Sequence, residues 1–129
     1  NGKGKEYVNN EIIFEGEYLN GERNGKGKEY TYEGELIFEG EYKKGLKWNG
    51  IIYELDGIKN IYELENGNGF IKLYNFHGKL EFEGEYLNGE RNGKGKEFHF
   101  NGELKFEGEY LNSKKWNGIG YNIDCNVEY

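Results

Sequence analysis

The pentapeptide Phe-Glu-Gly-Glu-Tyr occurs four times in this chain, at Phe14 to Tyr18, Phe38 to Tyr42, Phe82 to Tyr86 and Phe106 to Tyr110, at intervals of 24, 44 and 24 residues. A unit this short cannot bury an apolar face alone, so its recurrence predicts an array in which each unit packs on its neighbours. The stretch from Phe14 to Glu29 returns letter for letter from Phe82 to Glu97, and Trp48-Asn49-Gly50-Ile51 returns as Trp116-Asn117-Gly118-Ile119. In the 44-residue gap, Asn66-Gly67-Asn68-Gly69 stands where the first complete unit has Asn24-Gly25-Lys26-Gly27. The 129 residues therefore read as one array: a partial unit at 1–13, units at 14–37 and 38–60, a degenerate unit at 61–81, and units at 82–105 and 106–129.

Within a unit the apolar period is two. Leu36, Phe38, Gly40 and Tyr42 fall on one side of an extended strand, and Glu35, Ile37, Glu39 and Glu41 fall on the other, the pattern of a half-buried β-strand. Composition agrees: Ala, Gln, Met and Pro are absent, while Gly contributes 22 residues and the aromatics another 22. Glycine costs roughly 1 kcal/mol at an interior helix position, whereas aromatics and glycine suit strands and turns. Asn-Gly pairs at 20–21, 24–25, 49–50, 66–67, 88–89, 92–93 and 117–118 supply positive φ cheaply and are expected to be hairpin connections. The predicted fold is all-β: a single-layer, twisted antiparallel meander of about eleven strands.

Two features of the strands carry further expectations. Gly25 and Gly27 are odd-numbered but Tyr30 and Tyr32 are even, which predicts a β-bulge near Lys28-Glu29 or aromatics on both faces. The glycine at the centre of each Phe-Glu-Gly-Glu-Tyr strand leaves a notch between two rings. A ring from a neighbouring strand could fill it, letting one sheet build a core from its own side chains. On the other face, Glu15 and Glu17 precede Lys26 and Lys28, as Glu83 and Glu85 precede Lys94 and Lys96, so cross-strand ion pairs are expected.

The pattern Phe-Glu-Gly-Glu-Tyr-Leu-Asn-Gly followed by Asn-Gly-Lys-Gly, at 14–27 and 82–95, resembles the membrane occupation and recognition nexus (MORN) repeat. The 24-residue interval is similar to the variant form of bacterial antitoxin-like and protist repeat proteins. Phe stands for the family's opening Tyr and Tyr for its Trp, and the two Trp-Asn-Gly junctions lie outside its pattern. The resemblance implies a twisted rod of successive hairpins serving as scaffold, linker or dimerisation module, with phospholipid contact as a second implied role.

The residues themselves point to no catalysis. Thr31 and Ser113 are the only Thr and Ser, His77 and His99 the only histidines, and Cys125 the only cysteine, so a nucleophile–base arrangement would need distant singletons to converge. The Gly-Lys-Gly-Lys segments at 2–5, 25–28 and 93–96 lack a following Lys-Ser/Thr and a helix, and read as strand glycines rather than a phosphate loop. Glu-Gly-Glu could offer carboxylates to calcium, but Asp occurs only at 56 and 124, and a lysine-paired face is the simpler reading. No enzyme activity, metal or cofactor is expected.

A net charge of −7 argues against nucleic acid and anionic membranes. No apolar run approaches the roughly 18 residues of a membrane span. A lone cysteine favours a reducing cytoplasm, and a Met-free chain that opens inside a repeat is expected to be a fragment of a longer protein. The expected function is a structural or protein-interaction scaffold, working through an aromatic-bearing sheet surface with a protein partner or by self-association. Its candidate contact residues are Trp48 and Trp116, beside turns, and the ring pairs Phe14/Tyr18, Phe38/Tyr42, Phe82/Tyr86 and Phe106/Tyr110. The alternative is a ligand-binding module for a phospholipid headgroup or glycan, which would need concentrated basic charge.

Overall fold

The computed structural model describes residues 2–55 and 61–121. Asp56, Asp124, Cys125 and the end of the 106–129 unit lie outside the described residues. Eleven strands follow one another with no helix among the described residues: β1 (Gly2–Val8), β2 (Glu11–Leu19), β3 (Glu22–Tyr30), β4 (Leu36–Lys43), β5 (Leu46–Tyr53), β6 (Ile61–Leu64), β7 (Gly69–Tyr74), β8 (Leu80–Leu87), β9 (Glu90–Phe98), β10 (Leu104–Leu111) and β11 (Lys114–Gly120). All pairings are antiparallel between sequence neighbours, as in a β-meander.

The meander is broken once, into a six-stranded sheet β1 to β6 and a five-stranded sheet β7 to β11, where one continuous sheet was expected. The break falls in the degenerate unit. There β6 is only four residues long, and the β6–β7 hairpin is closed by a single residue pair, Glu65 and Asn68, exchanging two backbone hydrogen bonds of 3.0 Å. Without a Phe-Glu-Gly-Glu-Tyr strand on this hairpin, the ladder stops after its first rung.

The central glycines align across strands. Gly4, Gly16, Gly27, Gly40 and Gly50 are successive partners through β1 to β5, and Gly84, Gly95, Gly108 and Gly118 through β8 to β11. A Cβ at Gly40 would lie 2.6 Å from the Gly50 Cα, and one at Gly27 would lie 2.7 Å from the Phe14 ring and 3.0 Å from the Tyr42 ring. The notch is therefore filled from both neighbouring strands at Gly27, while at Gly40 the opposing backbone itself occupies the space. The Phe rings lie along this glycine row. Phe14, Phe38, Phe82 and Phe106 are each at most 2% exposed, and Tyr42 and Tyr110 meet them edge-on, with centroids 5.3 to 5.5 Å apart.

Two expectations about register change. The shift anticipated near Lys28-Glu29 lies opposite Glu29 and Tyr30, but the extra residue is on the partner strand: Glu29 pairs with Phe38 and Tyr30 with Leu36, leaving Ile37 between them. Ile37 is 5% exposed, not on the solvent face where strict alternation puts it, because a bulge breaks the alternation. The Asn-Gly pairs also divide. Those at 20–21, 66–67 and 88–89 form two-residue turns with both φ values positive, the geometry that matches strand twist. Those at 24–25, 49–50, 92–93 and 117–118 lie inside β3, β5, β9 and β11. At Gly25, with φ of 94°, the chain bulges around the Glu17 carboxylate, whose Oε1 accepts the Lys26 amide at 2.7 Å.

Candidate functional site

On the ring face, a cationic side chain covers each of the four Phe rings of the repeated pentapeptide. The Arg23 guanidinium lies 4.0 Å above the Phe14 ring centre and the Arg91 guanidinium 4.3 Å above Phe82, while Lys47 and Lys115 stand over Phe38 and Phe106 at 5.6 and 4.9 Å. A carboxylate ties these caps together. Glu29 takes Arg23 at 2.9 Å, Lys47 at 3.1 Å and the Tyr42 hydroxyl; Glu97 takes Arg91 at 3.5 Å, Lys115 at 3.8 Å and the Tyr110 hydroxyl. Glu6 adds a bidentate contact to Arg23 at 2.8 Å and accepts from the Tyr18 hydroxyl at 2.6 Å. Burial alone would raise the Glu29 carboxyl, but Lys47, Tyr42 and Arg23 together hold it below the usual carboxylate range. Burial and Glu29 push the Tyr42 hydroxyl up. This lattice was not read from the sequence, although the only two arginines stand at equivalent places, 23 and 91.

Of the residues expected to contact a partner, most are therefore enclosed. Phe14, Phe38, Tyr42, Phe82, Phe106 and Tyr110 are core, and Tyr18 and Tyr86 are half-buried against it. Trp48 is half-buried, with Lys43 Nζ 4.5 Å from its ring centre. Trp116 is 71% exposed.

The opposite face is open and carries charge with aromatics among it: Tyr7 lines it, and the Tyr30 and Tyr53 hydroxyls reach Glu15 and Glu39 at 2.7 and 3.4 Å, so rings stand on both faces. Across β1 to β4 it forms a groove of about 1,180 Å³ floored by Gly4, Gly16, Gly27 and Gly40. Each strand contributes a column of one sign: Lys3 and Lys5, then Glu15 and Glu17, then Lys26 and Lys28, then Glu39 and Glu41. Register sets the columns opposite one another, as in Glu15 against Lys28 and Lys28 against Glu39. The second sheet repeats the arrangement in a smaller groove of about 450 Å³ along β8 to β10, also lined by Phe70 of β7. Contacts within these columns are loose: Lys28–Glu39 and Lys96–Glu107 both span 3.6 Å with about half of each side chain exposed, and such pairs contribute ~0–1 kcal/mol. Lys28, Glu39, Lys96 and Glu107 thus stay about half exposed, whereas Glu15 accepts the Tyr30 hydroxyl and Glu17 the Lys26 amide, each at 2.7 Å.

The singletons lie apart. Thr31 sits in the β3–β4 loop, where its Oγ1 accepts the Glu35 amide at 3.1 Å, and Ser113 sits in the β10–β11 turn. His77 packs among Tyr32, Phe76 and Phe100, and His99 Nε2 lies 2.9 Å from the Tyr121 carbonyl. Among the described residues there is no cluster of three metal-ligating side chains. Comparison with protein-family models and with curated proteins finds no match.

Proposed function

We propose that this chain is a structural scaffold that binds or links a protein partner across the polar face of β1 to β4. The observation that carries the reading is the groove in which four lysines and four glutamates stand in columns of alternating sign. Strands are spaced about 4.8 Å apart, close to the roughly 5.4 Å pitch of a helix. A helix laid across the strands, with charges of alternating sign one turn apart, places each opposite its column. Complementarity of this kind favours specificity and encounter rate. A balanced groove offers no net positive field to a nucleic acid or an anionic lipid surface, which favours a protein over a headgroup. The resemblance to MORN-type repeats supports the same scaffold reading.

A photo-crosslinking residue placed at Lys28, in the groove, is compared with one at Glu33, in the exposed β3–β4 turn. The scaffold reading expects polypeptide adducts from position 28 that diminish with added salt and are lost on Lys26→Glu, with few from position 33. Adducts to lipid or glycan alone, or equal yields from both positions, would overturn it.

A further inference from the structure

Reversing the order of the columns on the open face of β1 to β4 reverses every sign, because they run positive, negative, positive, negative. Register holds two rows across them. Lys5, Glu15, Lys28 and Glu39 are successive cross-strand partners on one side of the glycine line; on the other side, Lys3 pairs with Glu17 and Lys26 with Glu41. On β5 the residues opposite Glu39 and Glu41 are Ile51 and Asn49, so the alternation stops at β4.

A surface of this kind is complementary to itself under one operation. Two copies set face to face about a two-fold axis parallel to the strands, between β2 and β3, bring β1 over the partner's β4 and β2 over the partner's β3. Lys5 then meets the partner's Glu39 and Glu15 the partner's Lys28, while in the second row Lys3 meets the partner's Glu41 and Glu17 the partner's Lys26. Each pair forms twice. A two-fold axis across the strands instead sets β1 over β1 and like on like. An isologous contact requires a self-complementary patch, and facing sheets lie about 10 Å apart, a gap that lysine and glutamate close by extending from opposite sides. Lys28 and Glu39 are about half exposed, and Glu15 accepts the Tyr30 hydroxyl on Oε1, although a carboxylate accepts on both oxygens. The second sheet lacks the fourth column: opposite Glu85 and Glu83, β7 brings Phe70 and Lys72, and the Lys72 ammonium is held by the buried Glu54.

We propose that the polar face of β1 to β4 is a homodimer interface, occupied by a second copy of this chain in that arrangement. The inference rests on the reading of this face as a protein contact and assigns it a second sheet in place of a helix. A patch about 14 Å wide and about 27 Å long falls below the roughly 800 Å² per partner of a standard interface. Its bonds join solvated charges, so the dimer is weak and salt-sensitive.

The test is sedimentation of the full chain over a range of concentrations, with two charge reversals. Lys28→Glu sets glutamate against the partner's Glu15, and Glu15→Lys sets lysine against the partner's Lys28. Each mismatch occurs twice, so each variant alone is expected to dimerise at least about ten-fold more weakly than the wild type. An equimolar mixture of the two restores the dimer, since one copy then carries glutamate and the other lysine at both positions. The double variant in one chain, which keeps the cross-strand pair, dimerises as the wild type does. A wild-type chain that stays monomeric throughout, single variants that dimerise like the wild type, or a mixture and a double variant that both stay monomeric would overturn the proposal. The scaffold reading is judged separately: adducts from position 28 to a different polypeptide, beside a monomeric chain, remove the dimer and leave the scaffold.

Discussion

Glu29, like Glu97 in the second sheet, gathers two cations and a tyrosine hydroxyl on the ring face. Its carboxylate serves Arg23, Lys47 and Tyr42 at once, with its side chain 14% exposed. Charge-assisted bonds to a fixed carboxylate are stronger than neutral ones, and removing one member of a buried set leaves the others unpaired. Its folded-state pKa is lowered, so its contribution is fully present above the unfolded value of about 4.3 and is lost as pH falls through the folded value. Two outcomes are expected in urea titrations. The wild-type midpoint falls steadily below about pH 4.3, and Glu29→Gln lowers stability at neutral pH by about 3 kcal/mol while flattening that acid slope. An unchanged slope in the variant would place the acid sensitivity elsewhere. None of this was legible in alternation, which treats every Glu as a solvent residue; only the repeated Arg23/Arg91 pointed to it.

At the scale of the strand, the glycine row is the device that lets a sheet cover itself. A Phe ring can lie flat along the sheet only where its neighbours have no Cβ, and the register brings five glycines of β1 to β5 into one line. Gly40→Val forces its Cβ onto the β5 backbone, 2.6 Å from the Gly50 Cα, and overpacking costs roughly 1–3 kcal/mol or more. Glu39→Val, one residue away with a side chain 46% exposed, is expected to change stability by less than about 0.5 kcal/mol. The comparison is read from thermal midpoints of the two variants, and equal losses would show that the row does not control packing. The strands, the notch at each central glycine and the face chemistry were visible in the period-two pattern, whereas the alignment of the glycines into a row was not, because it depends on the register that the bulges along β3 set. Nor was the bulge at Ile37, because one inserted residue on a partner strand leaves no mark in a strand's own alternation.

For the whole molecule, the broken ladder between β6 and β7 raises the question of what joins the two sheets. Side chains do: Ile71, on β7 and fully buried, belongs to the same core cluster as Phe14, Phe38, Tyr42, Ile52 and Leu64 of the first sheet, and Leu73 and Tyr86 pack against it. Ile71→Ala is expected to cost about 2–5 kcal/mol. With the hairpin closed by one pair, the loss should also uncouple the sheets, giving a smaller denaturant slope or two transitions in urea. Destabilisation with an unchanged slope would mean that the other links between the sheets, among them Lys72 to Glu54 and the Tyr32 amide to the Phe76 carbonyl at 2.8 Å, keep them cooperative without Ile71.

What the sequence by itself determined is whatever repeats at a fixed period: strands, turns, an aromatic face against glycine, and a face where Lys meets Glu. Such features are set by nearest neighbours along and across strands, so spacing alone reports them. Which Asn-Gly pairs turn the chain and which lie inside strands needed the tertiary structure, since the same dipeptide serves as the turn at 66–67 and, at 49–50, as part of the strand whose Asn49 accepts the Asn66 amide. The break into two sheets also needed it, because a degenerate unit reads as a weaker copy until its hydrogen bonds are followed. So did the fate of the two tryptophans. They occupy identical four-residue motifs, and one is covered while the other is open, because exposure depends on what the next hairpin seats against each strand.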